Sequence, residues 1–198
     1  PDVGLTRWLR LDRATWSVAK WFMHMDSIFG RNGASASTFL RSREGLENPD
    51  IQIVHLTASN RSNLWGFPGL GAPKWAFTAR VGGPLNPQSR GWVKLRSADP
   101  EAPPRIFFNM FGVREDMDTL IRGLKLSREI FAQPPLRHLL AEELSPGAKA
   151  QSDADLETFI RANATHRSHP AGTCRMGVDD MAVVGPPMRG PGPAGLRG

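Results

Sequence analysis

Residues 105–131 read RIFFNMFGVREDMDTLIRGLKLSREIF, and the hydrophobic period changes inside this stretch. Arg105 to Phe111 is an aromatic and β-branched run of strand length, entered through Pro103 and Pro104. Met117, Leu120, Ile121, Leu124, Ile130 and Phe131 then recur at three- and four-residue steps, which predicts an amphipathic helix over about 115–133. A strand pattern gives way to a helix pattern, and neither returns to the other in alternation.

Working outward from that switch gives the fold class. Upstream, Pro49-Asp50 opens the β-branched run Ile51-Gln52-Ile53-Val54-His55-Leu56, and two more strands are predicted at 74–81 and 91–97. Pro84, Pro87, Pro100, Pro103 and Pro104 fall between strands, where they cost no ladder hydrogen bond. Downstream, Pro134 and Pro135 end the long helix and start a shorter one, 135–144. Ser152 caps a third helix, with Leu156, Phe159 and Ile160 as its buried stripe and Asp153 and Asp155 at its positive end. Strands followed by helices, without βαβ alternation, predict an α+β fold: an antiparallel or mixed sheet backed by helices. Ahead of the strands, Trp8, Trp16 and Trp21 recur at helix-like spacing and read as core packing. Gly30, Gly33 and Ala34 to Ser37 read as a loop, as do residues 60–73.

Composition removes several function classes. With 198 residues and 40% hydrophobic content, the chain can bury a core. One cysteine excludes an internal disulfide, and no run approaches the roughly 18 apolar residues of a membrane span. No signal-peptide pattern opens the sequence, so a cytoplasmic protein is expected. The formal charge of +6 rests on 20 arginines and only 5 lysines, with no tyrosine. Arginine, glycine, proline and alanine have GC-rich codons, so genome composition explains the skew. The arginines are scattered and form no stripe, and no nucleic-acid partner is expected. No Cys or His pair has zinc spacing, and no metal is expected.

Two glycine patterns are decoys. Gly190, Gly192 and Gly195 form a G-x-G-x-x-G, yet Pro191 and Pro193 remove backbone N–H groups that a phosphate would need. Gly69-Leu70-Gly71 lacks the third glycine, since Lys74 stands there. The informative stretch is His169-Pro170-Ala171-Gly172-Thr173-Cys174-Arg175-Met176-Gly177. Pro170 restrains His169 to an extended backbone, and Gly172 and Gly177 permit tight turns. That suits a rigidly held histidine acting as a proton acceptor, while from the residues alone a lone histidine beside proline is more often structural.

HPAGTCRMG resembles the C-terminal histidine motif of the glucose–methanol–choline (GMC) oxidoreductases. Pro49-Asp50-Ile51-Gln52 resembles a PDIQ strand of that family, and Pro87-Gln88-Ser89-Arg90-Gly91-Trp92-Val93-Lys94-Leu95 with Asp99-Pro100 resembles its following strand pair. Pro104-Arg105-Ile106 and Asp116 to Arg128 resemble the next strand and helix. The resemblance covers about residues 30–184 and leans towards the choline and alcohol dehydrogenase branch. It implies a two-domain flavoprotein, with an FAD-binding Rossmann-like half and a substrate half, oxidising an alcohol to a carbonyl. It also implies that His169 takes the hydroxyl proton while hydride passes to the flavin.

On that resemblance, residues 1–164 correspond to the substrate-binding domain, 165–184 to the start of a return towards the flavin domain, and 185–198 to a disordered glycine–proline tail. The sequence departs from the family in three ways. Its Rossmann half is missing, so no FAD-binding motif is expected in this chain. Val54 stands where relatives often carry a substrate-side histidine, and alternation turns His55 to the other face, which makes it structural. His166 and Cys174 likewise read as packing or loop residues. After Val184 the family's second catalytic Asn or His is replaced by Gly185-Pro186-Pro187, as a shifted reading frame would give. The expectation is an alcohol oxidoreductase portion, inactive alone, that pairs with a missing FAD-binding half or self-associates. The alternative is a non-catalytic remnant that binds no FAD.

Overall fold

The β-branched run after Pro49-Asp50 forms the middle strand of a three-stranded antiparallel sheet. The computed structural model describes residues 11–27, 34–56 and 77–186. In chain order these form α1 (Leu11–Phe22), β1 (Ala34–Leu40), β2 (Ile51–Leu56), β3 (Thr78–Gly82), β4 (Trp92–Lys94) and β5 (Arg105–Phe107). Three helices follow: α2 (Arg114–Ala132), α3 (Pro134–Arg137) and α4 (Asp153–Asn163). The α+β expectation is borne out. The described residues divide into two compact units, one drawn from 1–88 and 113–160, the other from 89–112 and 161–198.

In the first unit, strand alternation gives the sheet two unlike faces. Ile51 and Ile53 are fully buried on the face that α2 covers, and Gln52 and Val54 lie on the opposite face. There Gln52 Nε2 donates to Ser37 Oγ at 2.8 Å. The helix answers with Met117, Leu120 and Ile121, all buried at the predicted spacing. Gly123 sets how closely helix and sheet approach: a Cβ there would lie 2.9 Å from Val81 Cγ1 and 3.0 Å from Ile51 Cδ1. At the start of α2 the buried Asp116 carboxylate accepts the Gln88 backbone N–H at 2.9 Å.

Polar bonds fix the connections of this unit. Asp50 accepts the Ser42 N–H at 2.7 Å and its hydroxyl at 2.6 Å, closing the β1–β2 turn. Arg122 reaches the same serine at 3.2 Å and pairs with Glu115 at 2.6 Å. Helix α4 is held to α2 by Arg114 with Glu157 and by Lys125 with Asp153. Its first turn is closed reciprocally, since Ser152 Oγ accepts the Asp155 N–H and Asp155 Oδ2 accepts the Ser152 N–H. The Ser152 hydroxyl, which also donates to Asp155 Oδ2 at 2.7 Å, and then the Ser152 N–H hold the Asp155 carboxyl below its ordinary range.

Four expectations change. Ala34 to Ser37, read as loop, belong to strand β1, because pairing with β2 supplies what their small side chains do not advertise. The helix expected over 135–144 shrinks to the single turn Pro134–Arg137. The outer strands are shorter than their apolar runs, at Trp92–Lys94 and Arg105–Phe107. Trp16 and Trp21 do sit on a helix, but they are 58% and 49% exposed and not in a core. Trp8, the loop over 60–73 and the decoy glycines 190, 192 and 195 lie outside the described residues, as does 187–198 of the predicted tail.

Candidate active site

The second unit is built on a short antiparallel hairpin, β4 with β5, in which Trp92 pairs with Phe107. Their rings lie 5.7 Å apart, and Lys94 Nζ sits 4.9 Å above the Trp92 ring. Gly91 is required here, because a Cβ would fall 2.0 Å from the Phe107 carbonyl oxygen. Beyond β5, Asn109 takes a left-handed backbone (φ 49°) and donates from Nδ2 to the Arg90 carbonyl at 2.9 Å. This bond closes the far end of the hairpin and fixes where Phe108 stands.

Phe108 carries the link to the histidine motif. Its ring stacks on His166 with centroids 5.2 Å apart and planes 7° from parallel. His166 Nδ1 accepts the Ser168 backbone N–H at 3.1 Å, which places the ring proton on Nε2 in the neutral imidazole. Ser168 has φ 58°, a left-handed turn immediately before His169. Pro170 follows, and Gly172 then turns at φ 100° with open space where a Cβ would point. The imidazole of His169 is exposed.

Past the motif the chain is tied down again. Gly177 N–H donates to the Val184 carbonyl at 3.0 Å and Val183 N–H to the Arg175 carbonyl at 3.0 Å. Arg175 pairs with Asp179, whose carboxylate also accepts the Met181 N–H at 2.9 Å. The Arg175 bond first, then the Met181 N–H, hold the Asp179 carboxyl below its ordinary range. His169 therefore stands on a loop anchored on one side by the Phe108–His166 stack and on the other by the 175–184 closure. Cys174 is free and exposed.

His55 is placed elsewhere, in the first unit. Its Nε2 lies 3.2 Å from Thr38 Oγ1, and its ring packs edge-on to Phe131 of α2 at 5.8 Å. As strand alternation requires, His55 shares the helix-covered face and Val54 lies on the other. The sequence reads His166 as a packing or loop residue, and it does pack on Phe108; its bond to the backbone N–H two residues on is the feature that reading lacked. Among the described residues no cluster of His, Cys, Asp and Glu is arranged to hold a metal ion. No described helix is long and apolar enough to cross a membrane.

A flavin dinucleotide needs a strand, a glycine-rich turn and a helix N-terminus aimed at its pyrophosphate. Both described sheets are antiparallel, and none of their strands feeds such a helix. A complete FAD site does not fit the described residues.

A family model described as GMC oxidoreductase matches residues 87–197. This chain belongs to the GMC oxidoreductase family. The match to this GMC family runs past Val184, where the motifs ended, and through the glycine–proline segment. The oxygen-dependent choline dehydrogenase of Pseudomonas fluorescens is 38% identical over 182 residues, 90% of this chain and 31% of that protein. That of Paraburkholderia phymatum is 40% identical over 179 residues, 90% of this chain and 30% of that protein. The chain thus spans under a third of the length of these curated relatives. Among solved GMC-type structures, pyridoxine 4-oxidase from Mesorbium loti aligns with a TM-score of 0.67 and 27% identity, over 80% of this chain and 30% of that one. A formate oxidase aligns with a TM-score of 0.74 at 18% identity, over 90% of this chain and 35% of that one, which supports the fold alone.

Proposed function

We propose that this chain serves as the substrate-side portion of a longer FAD-dependent enzyme that oxidises the CH–OH group of choline or a choline-like alcohol. The observation that carries this reading is the 38% identity to choline dehydrogenases over 90% of the chain, together with the histidine motif it contains. Residues 1–164 are assigned to the substrate-binding part, and 165–184 to the segment that returns the histidine towards the flavin half. The apolar side chains of Trp16, Trp21 and Phe22, all exposed here, suit burial against that half or a second copy.

In this reading an alcohol gives up a proton from oxygen and a hydride from carbon. His169 receives the proton on a ring nitrogen and becomes imidazolium, while the C–O bond becomes a carbonyl. Bound FAD would supply the two-electron acceptor, and this chain would supply the base. A base of this kind contributes about 10²–10⁴-fold where it is well placed. Restraint of the loop on both sides of His169 supports that role, because a base on a mobile loop loses the alignment that proton transfer requires.

The test is oxidation of an alcohol panel by the full-length protein with FAD. Turnover of choline to its aldehyde, above that of alcohols lacking the ammonium group, is expected. A full-length protein that binds no flavin and oxidises none of them contradicts the reading.

A further inference from the structure

The geometry points to His166 as a positioning residue for His169, a role that rests on the proton-acceptor reading above. Three contacts form a continuous relay. Phe108 is fixed by the β4–β5 register and the Asn109 bond to Arg90, its ring stacks on His166, and His166 Nδ1 holds the Ser168 N–H. Ser168 needs such a hold. A non-glycine residue in the left-handed region is strained by its Cβ, and Ser168 is not glycine. Without the acceptor, the backbone gains by rotating to φ below zero. His169 is the next residue, so that rotation re-aims its side chain.

Pro170 restrains His169 itself to an extended backbone but does not set the Ser168 backbone before it. The Ser168 side therefore decides where the imidazole points, and His166 decides that side. The two features of His166 are separable. Its flat ring fits the Phe108 face, and its Nδ1 reaches the N–H two residues on. Phenylalanine keeps the first and loses the second. Asparagine does the reverse, since its side-chain oxygen bonds the i+2 N–H in an Asx turn.

The experiment uses full-length protein loaded with FAD, comparing wild type, His166→Phe, His166→Asn and His169→Ala. His166→Phe should lower kcat by about 10–10²-fold, the cost of a misplaced catalytic group, with KM changed less than about twofold. His166→Asn should restore kcat to within a few-fold of wild type. Independently of turnover, hydrogen–deuterium exchange at the Ser168 amide should rise in His166→Phe and stay slow in His166→Asn. Unchanged exchange at Ser168 in His166→Phe overturns the proposal. So does an unchanged kcat in His166→Phe when His169→Ala has lost turnover. Full turnover in His169→Ala removes the proton-acceptor reading instead, and the positioning role with it.

Discussion

Replacing Gly123 by alanine separates packing from helix propensity. In an exposed helix interior this change stabilises by about 1 kcal/mol, because glycine orders at a higher entropic cost. Here the new Cβ would lie 2.9 Å from Val81 Cγ1 and 3.0 Å from Ile51 Cδ1, well inside the roughly 3.5–4.0 Å at which carbons attract. The Ile51 methyl ends a flexible side chain and can turn aside, whereas Val81 is stiff at χ1. Overpacking of this kind costs about 1–3 kcal/mol, so the net expectation is a loss of about 1 kcal/mol. Val81→Ala removes the stiff obstacle, and in that background Gly123→Ala should stabilise. Urea unfolding of the four proteins of this cycle reads the coupling, expected at about 1–2 kcal/mol. A Gly123→Ala that stabilises equally in both backgrounds would refute the close approach of α2 to β2 and β3.

Other perturbations probe separate parts of the account. Asp50→Ala should cost about 1–3 kcal/mol in urea unfolding, because the Ser42 N–H and hydroxyl lose their acceptor, with Asp50→Asn costing less. Gly91→Ala drives a Cβ into the Phe107 carbonyl, so amide exchange should rise at 105–108. Asp155 has a lowered pKa in the fold, so its contribution is complete above the ordinary value of 3.8 and is lost as pH falls through the folded value. Ser152→Ala should therefore flatten the acid limb of stability below about pH 4 and leave the same pH dependence above pH 6.

What the sequence displayed and what it hid have physical causes. The helix at Arg114–Ala132 was legible because burial of Met117, Leu120 and Ile121 imposes its period directly on residue type. β2 was legible because Ile51 and Ile53 face a covering helix and β-branched residues suit that surface. β1 was hidden, since Ala34, Ser35, Ala36 and Ser37 carry no such mark and owe their strand to pairing with β2. His169 stood out through the whole HPAGTCRMG string and its family resemblance, not through its neighbours' chemistry alone. His166 did not, because its role arises from Phe108, 58 positions away in sequence, and no local pattern records that stack. The tryptophans of α1 misled for the complementary reason: period shows that a face is apolar, but not what covers it.

The most direct test of the central claim is stopped-flow flavin reduction by choline in the full-length protein, wild type against His169→Ala, under anaerobic conditions. The account predicts that flavin still binds in the variant and that its reduction slows by about 10²–10⁴-fold. Reduction at the wild-type rate in His169→Ala would contradict it.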